Sequence, residues 1–351
     1  MPATTGKSAI EHKVDLTFDP GALKRGTLPF QQPSLPLCLW QIASSLVPLL
    51  ALSVAMYHLL AWSLWATWAL AVPAAGCVVR LFIIQHDCGH GAFFRSRRLN
   101  DILGTLCSLA TVTPYAMWRR QHAGHHSHWN NLDRRNAGAD IYSSCLTLAE
   151  YQGMSGWRQW LYRLIQHPLV ALFALPPIVF LLLYRVPFDS PRSWRAERRS
   201  VYLTNIALLA LFTGLAVLVG VRAVLLVQMP ILMLAATIGV WLFSIQHRFE
   251  SARWMREGEW DPVAAALGGS SYLKLPGVLR WFTGNIGFHH VHHLNPRIPN
   301  YRLQACNRAN PALAAVPPVS VWRLLASWRL ALWDEKLGRL VPFPKHGETG
   351  G

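Results

Sequence analysis

At 351 residues, with 52% hydrophobic and only 14% charged residues, the chain carries too little charge for an ordinary soluble domain. Its 33 Lys and Arg against 17 Asp and Glu give a net charge of +16. Those basic residues lie in short loops beside apolar stretches, which disfavours nucleic acid and suits an anionic membrane face. Six scattered cysteines, Cys38, Cys77, Cys88, Cys107, Cys145 and Cys306, contain no CxxC pair, so neither a disulfide framework nor a cysteine-ligated cluster is expected.

Residues 1–35 are mixed polar and lack the apolar core of a secretory signal. They are expected to form a cytosolic N-terminal tail, before a membrane domain over 36–304 and a cytosolic C-terminal segment over 305–351. Two apolar segments, from about Pro36 to His58 and from about Leu59 to Gln85, are each long enough to cross about 30 Å of hydrocarbon at about 1.5 Å per residue. A second pair runs from about Val201 to Gly220 and from about Arg222 to Gln246. Two shorter stretches, 102–117 and 168–184, are ambiguous by length.

Arginine placement settles them. Arg95, Arg97 and Arg98 follow the first pair, and Arg119, Arg120, Arg134 and Arg135 come next. Arg185, Arg192, Arg195, Arg198 and Arg199 precede the second pair, and Arg248, Arg253 and Arg256 follow it. With all of these on the cytosolic side, each pair is a hairpin turning near 58–60 or 220–222. The two short stretches are then interfacial or re-entrant, the later one broken at Pro176-Pro177. The expected fold is all-α and polytopic: four transmembrane helices in two hairpins, interfacial helices, and a cytosolic histidine-rich cap. A six-span alternative would put the 185–199 loop and one histidine cluster on the opposite face.

Nine histidines stand just past these segments: His86 and His90 in HDCGH, His122, His125 and His126 in HAGHH, His247 in QHRFE, and His289, His292 and His293 in HHVHH. Spacings of three and four residues put imidazoles on one helix face, and neutral imidazole is a ligand for iron, zinc, copper and nickel. Eight or nine ligands exceed one ion's needs, whereas two ions with four or five each use them all. Carboxylates that could accept the free ring N–H are Asp87, Asp101, Asp133, Asp140 and Glu250. Asn285, one turn before His289, could accept a hydrogen bond or hold a water. His12, His58, His167 and His346 are expected to be interfacial or solvated. His128 and His290 fall off the face that the others use. Trp118, Trp281 and Trp322 are expected as interfacial anchors.

The three boxes, with the flanks HDCGHGAFF, NLDRRNAGADIY and WFTGNIGFHHVHHLNPRIPNYRL, resemble the integral-membrane fatty-acid desaturases, the bacterial acyl-lipid type in particular. The resemblance runs from roughly Arg80 to Leu303. It implies four spans, a cytosolic cap, and a di-iron centre ligated by the nine histidines named above. Asp87, Asp140, Glu250 and Asn285 are the expected supporting residues. The animal acyl-CoA members place an Asn four residues before the lone histidine, where this chain has Phe243. The third box begins with His rather than the Gln of front-end members, and no fused haem-binding segment of their kind is visible. The implied activity is dioxygen-dependent insertion of a cis double bond into acyl chains of membrane lipids. Electrons would come from a ferredoxin-like or other small carrier, at the cytoplasmic side of a bacterial inner membrane. A related hydroxylase or carotenoid ketolase is the nearest alternative. A histidine-lined metal transporter is the rival of another class, and it predicts ionisable residues within the spans.

Overall fold

The computed structural model describes residues 19–135, 144–322 and 327–344. Helix α1 (Pro20–Thr27) leads into α2 (Leu35–Leu59), which a short turn joins to α3 (Leu64–His90). After α4 (Arg97–Thr111), α5 (Tyr115–His128), α6 (Leu148–Gln152), α7 (Gly156–Gln166) and α8 (Val170–Arg185) comes a second long hairpin, α9 (Arg195–Val219) and α10 (Val221–His247). Its turn is Gly220, whose φ of 86° lies in the region that favours glycine. Among the described residues, these four long helices are each apolar and long enough to cross a membrane alone, and α7 with α8 passes the same test only as a bent pair. The fold is that of an all-α polytopic membrane protein.

Lengths of 25 and 27 residues correspond to about 38–40 Å, more than the roughly 30 Å of hydrocarbon. The last turns of α3 and α10 therefore stand beyond an apolar layer, and they carry His86, His90 and His247. The α3 helix is the central one: 67% of its most apolar window is buried, against 22% for α2 and 17% for α9. The outer helices keep their leucines exposed because lipid, not protein, is their solvent.

Both short stretches depart from the sequence expectation in detail. The 102–117 stretch is two helices, because Val112 takes a left-handed φ of 48° between α4 and α5. That conformation costs a branched residue about 1–2 kcal/mol. The Val112 carbonyl is held by the guanidinium of Arg185, itself bonded to Asn205 Oδ1 at 3.0 Å. The 168–184 stretch is not broken at Pro176-Pro177. The chain stays helical through them by widening to π turns, with Leu175 N–H reaching back to the Val170 carbonyl. The bend of 58° lies earlier, between α7 and α8.

The cap is built from α11 (Pro262–Gly269), α12 (Gly277–Phe282), α13 (His289–Leu294), α14 (Asn300–Ala309) and α15 (Pro311–Ala314). Two- and three-residue strands tie it together. These are β1 (Leu146–Thr147), β2 (Tyr272–Leu273), β3 (Pro318–Val319), β4 (Leu332–Asp334) and β5 (Arg339–Val341). Strand β4 pairs parallel with β1 and antiparallel with β5, while β2 pairs parallel with β3.

Glu150 anchors one corner of this cap. It completes a capping box with Thr147 and accepts from Arg135 Nη1 at 2.8 Å. The Arg135 bond, followed by backbone and Coulombic contributions, pulls its pKa down to about 2 against opposing burial. A depressed folded-state pKa stabilises above the unfolded value and is lost as pH falls from about 4.5 toward 2. Glu150→Gln should therefore lower Tm at pH 6 but by progressively less toward pH 3. A pH-independent difference would show that the carboxylate's charge is not what matters.

Candidate metal centre

Helix α3 ends where it must for two ligands to face one site. Gly91, with φ 67°, accepts the left-handed cap that a side chain would resist, and its N–H returns to Asp87 and Cys88 carbonyls. His86 and His90 are thus one turn apart on the last two turns, with ring centroids 4.7 Å apart. On α5, His122 and His126 share a face and His125 lies about 60° around it. On the six-residue α13, His289 and His293 share a face and His292 is offset in the same way.

This offset divides the histidines into two groups. The ligand nitrogens of His86, His90, His122, His126 and His292 lie within 4.8 Å of one another, and so do those of His125, His247 and His293. His289 joins the second group, with Nε2 3.0 Å from His247 Nε2 and 3.1 Å from His293 Nε2. So α5 gives two imidazoles to the first group and one to the second, and α13 does the reverse. The groups touch where the His126 and His293 rings stack at 4.3 Å.

The chemistry of the donor set fits metal ions. Burial, then repulsion among neighbouring imidazoles, holds His122, His126, His289, His292 and His293 well below the usual imidazole pKa, in the neutral form with a free lone pair. His126 Nε2 sits 3.1 Å from both His122 Nε2 and His292 Nε2, while the buried Nε2 of His90 has no hydrogen-bond partner. Two imidazole nitrogens at right angles, each about 2.1 Å from one ion, stand about 3 Å apart. The observed spacings are those of a ligand shell, and a cation satisfies lone pairs that cannot satisfy each other.

Among the carboxylates expected to orient the rings, Asp87 is placed to do so: Oδ1 lies 3.3 Å from His86 Nδ1. Its other oxygen accepts from Asn300 N at 2.7 Å and Asn300 Nδ2 at 2.9 Å, and Asn300 exchanges two bonds with Gln41. This buried chain locks α2, α3 and α14 around one ligand. The other candidates lie elsewhere. Asp101 binds Arg119 and Tyr115, Asp133 binds Arg256 and the Glu257 amide, and Glu250 is exposed. Asp140 lies outside the described residues. Asn285 is not on the helix of His289. It sits in the preceding turn with φ 58°, and its amide donates to the Asn300 carbonyl at 3.2 Å. Asp87→Asn would set an amide against His86 and should weaken metal binding about 10–100-fold, read by competition with a chelator. Unchanged affinity would remove Asp87 from the assembly.

An apolar cavity of about 160 Å³ ends on His86, His122, His125 and His289. Val78, Val79 and Phe82 of α3, Val179 and Phe180 of α8, and Leu232, Ala236 and Gly239 of α10 line its length. Trp118 corrects a sequence expectation. It is 7% exposed and stacks on His122 at 4.7 Å in the cavity wall, so it packs against a candidate ligand instead of anchoring at the interface. Trp281 lies under the buried Arg80, whose Cζ is 4.3 Å from the ring, and Trp322 is 78% exposed. Phe243 lines the cavity 5.0 Å from the His247 ring and 5.1 Å from that of His125. No amide hangs from that position to hold a water.

His290 turns away from the two groups. Its Nε2 bonds Asn307 Oδ1 at 2.9 Å, and burial pushes its pKa down to about 4. Sequence inspection missed Asn300, Gln41 and Trp129, whose ring centroid is 3.8 Å from that of His247. Nothing local marks the first two, which come from helices far apart in sequence.

The fatty acid desaturase family model matches residues 63–324. The chain belongs to the fatty acid desaturase family. It is 40% identical over 321 residues to a fatty acid desaturase of Bacillus subtilis (strain 168), covering 92% of this chain and 90% of that one. It is 27% identical to an sn-2 acyl-lipid omega-3 desaturase (ferredoxin) of Helianthus annuus chloroplasts, covering 87% and 71%. It is 26% identical to an sn-1 oleoyl-lipid 12-desaturase of Anabaena variabilis, covering 72% of each. Membership makes this chain an oxidoreductase of fatty-acyl desaturation in membranes, and both histidine groups fall within the matched residues.

Proposed function

We propose that the chain is a dioxygen-dependent acyl-lipid desaturase that uses a di-iron centre to place a cis double bond in acyl chains of membrane lipids. The observation that carries this is the apolar cavity ending on imidazoles of both histidine groups. One ion would be held by His86, His90, His122, His126 and His292, and the other by His125, His247, His289 and His293. Iron there would supply the redox chemistry by which two hydrogens leave adjacent methylenes: with dioxygen, two electrons and two protons, the balance gives one double bond and two waters.

The protein's own contribution is positional. The walls from α3, α8 and α10 offer the chain mostly apolar contacts, so the acyl chain enters with its own hydration shed. One pair of methylenes is held beside the histidines while the rest is fixed, which converts a non-selective oxidation into a selective one. Asp87 and the Asn300–Gln41 pair keep His86 turned inward during turnover. Arg80 is a charged residue inside a span, but its bonds to Ser45 and the Trp281 carbonyl commit it to packing, which speaks against an ion path. The basic loops that flank both hairpins support a cytosolic site in an inner membrane. The word ferredoxin in the sunflower relative's name supports a small iron–sulfur carrier as electron donor.

The test is expression in a host whose lipids are wholly saturated, with a ferredoxin and its reductase supplied. Mass spectrometry of derivatised fatty acids should show new double bonds in glycerolipid acyl chains. Iron-loaded protein that leaves the lipids saturated would sink the proposal, and oxygenated products without unsaturation would assign a hydroxylase.

A further inference from the structure

The cavity wall contains a buried amide whose purpose the acyl chain does not explain. Gln121 on α5 is 6% exposed, and its Nε2 has no hydrogen-bond partner. It stands one turn before His125 on the same helix face and lines the cavity with His86, His122, His125 and His289. The two other amide and hydroxyl groups closest to it in kind are committed: Thr111 Oγ1 donates to Gln85 Oε1 at 2.6 Å, and Gln246 Nε2 donates to the Ile286 carbonyl at 3.0 Å. A buried amide donor left unpaired is destabilising, so its retention needs a partner that arrives with the reaction.

Resting on the proposed function, the structure assigns Gln121 as the hydrogen-bond donor to the oxygen ligand, dioxygen or the water formed from it, at the inner end of the cavity. The part of the acyl chain lying beside the histidines is the pair of methylenes to be oxidised, and methylenes have no acceptor. Imidazole nitrogens turned toward metal ions offer lone pairs and cannot donate. An oxygen ligand is small enough to share this end of the cavity with a hydrocarbon chain, and its lone pairs match the amide N–H. Gln121 is therefore a catalytic residue in the sense that it touches a reacting atom, without being a ligand to either ion.

The experiment uses the iron-loaded full-length chain in detergent and azide as the probe, a small anion with acceptor lone pairs. Gln121→Leu should keep the wild-type iron content and bind azide about tenfold or more weakly, as read by optical titration. In turnover it should release more peroxide per double bond made. Wild-type azide affinity in an iron-replete Q121L overturns the assignment. Should Q121L not load iron, Gln121→Met, of matching length, is titrated in its place. Loss of iron in both variants would make the amide a structural support and likewise overturn the proposal. Azide binding needs no acyl substrate, so a wrong identification of the substrate leaves this test intact.

Discussion

His126→Ala is expected to leave the chain with at most one of the two ions proposed for it and with no measurable desaturation. His126 holds the middle of the first group, 3.1 Å from the nitrogens of both His122 and His292, and its ring is the one that stacks on His293 of the second group. Removing it opens the first shell and withdraws the shortest ring stack between the two groups. Residues that act as a unit lose function together, not in proportion. The measurement is iron per chain by elemental analysis beside product by mass spectrometry. Two ions per chain in a folded H126A protein would remove His126 from the ligand set. His128, one turn from His125 but outside both groups, is the control: H128A should keep the metal.

Gly239→Phe carries the second large effect, on what is made and not on whether metal binds. Gly239 lines the cavity on α10, and a Cβ built there meets nothing within 4 Å. It stands eight residues before His247, about 12 Å along the helix axis. A phenyl ring would occupy the space through which the chain runs past the histidines, without the strain that overpacking a filled core brings. Chains could then insert less far. Long acyl chains should be refused, or the double bond should move toward the methyl end, with iron content unchanged. An identical product profile from a stable G239F protein would show that this stretch of the cavity is not the acyl path.

The sequence itself announced the spans and the boxes, for physical reasons that are local. Four windows of low charge and membrane length need no partner to be recognised, because every backbone group in a helix is satisfied within it. Three- and four-residue spacing is likewise a property of one helix, so the ring pairs on α3 and α5 were readable before any packing was known. The bounds were less so. Helix α3 continues through HDCGH to His90 because Gly91 provides its cap, whereas apolarity alone would end it at Gln85. Trp118 was misjudged for a related reason: composition sees an aromatic near an interface, but α5 turns that ring inward onto His122. Pro176-Pro177 looked like a break because a proline removes a hydrogen bond, and the π turns of α8 absorb that loss.

What the sequence determined is the inventory: an all-α membrane chain, nine imidazoles in helical register, and arginines that would place them on one side. What only the tertiary structure decided is the division of labour among those residues. The spacing in HAGHH and HHVHH offsets His125 and His292 from their neighbours, but it does not say which rings of the other helices each one joins. That sorting follows from how the histidines of α5 and α13 are brought together with those of α3 and α10. The same packing chose Asp87 over Asp101 and Asp133, because Asn300, itself held by Gln41, reaches it across 213 residues of chain. It also left Gln121 in the cavity wall with an unpaired, buried donor. Spacing along a helix is fixed by 3.6 residues per turn, whereas contact between helices is fixed by which surfaces exclude solvent together, and a single linear pattern records only the first.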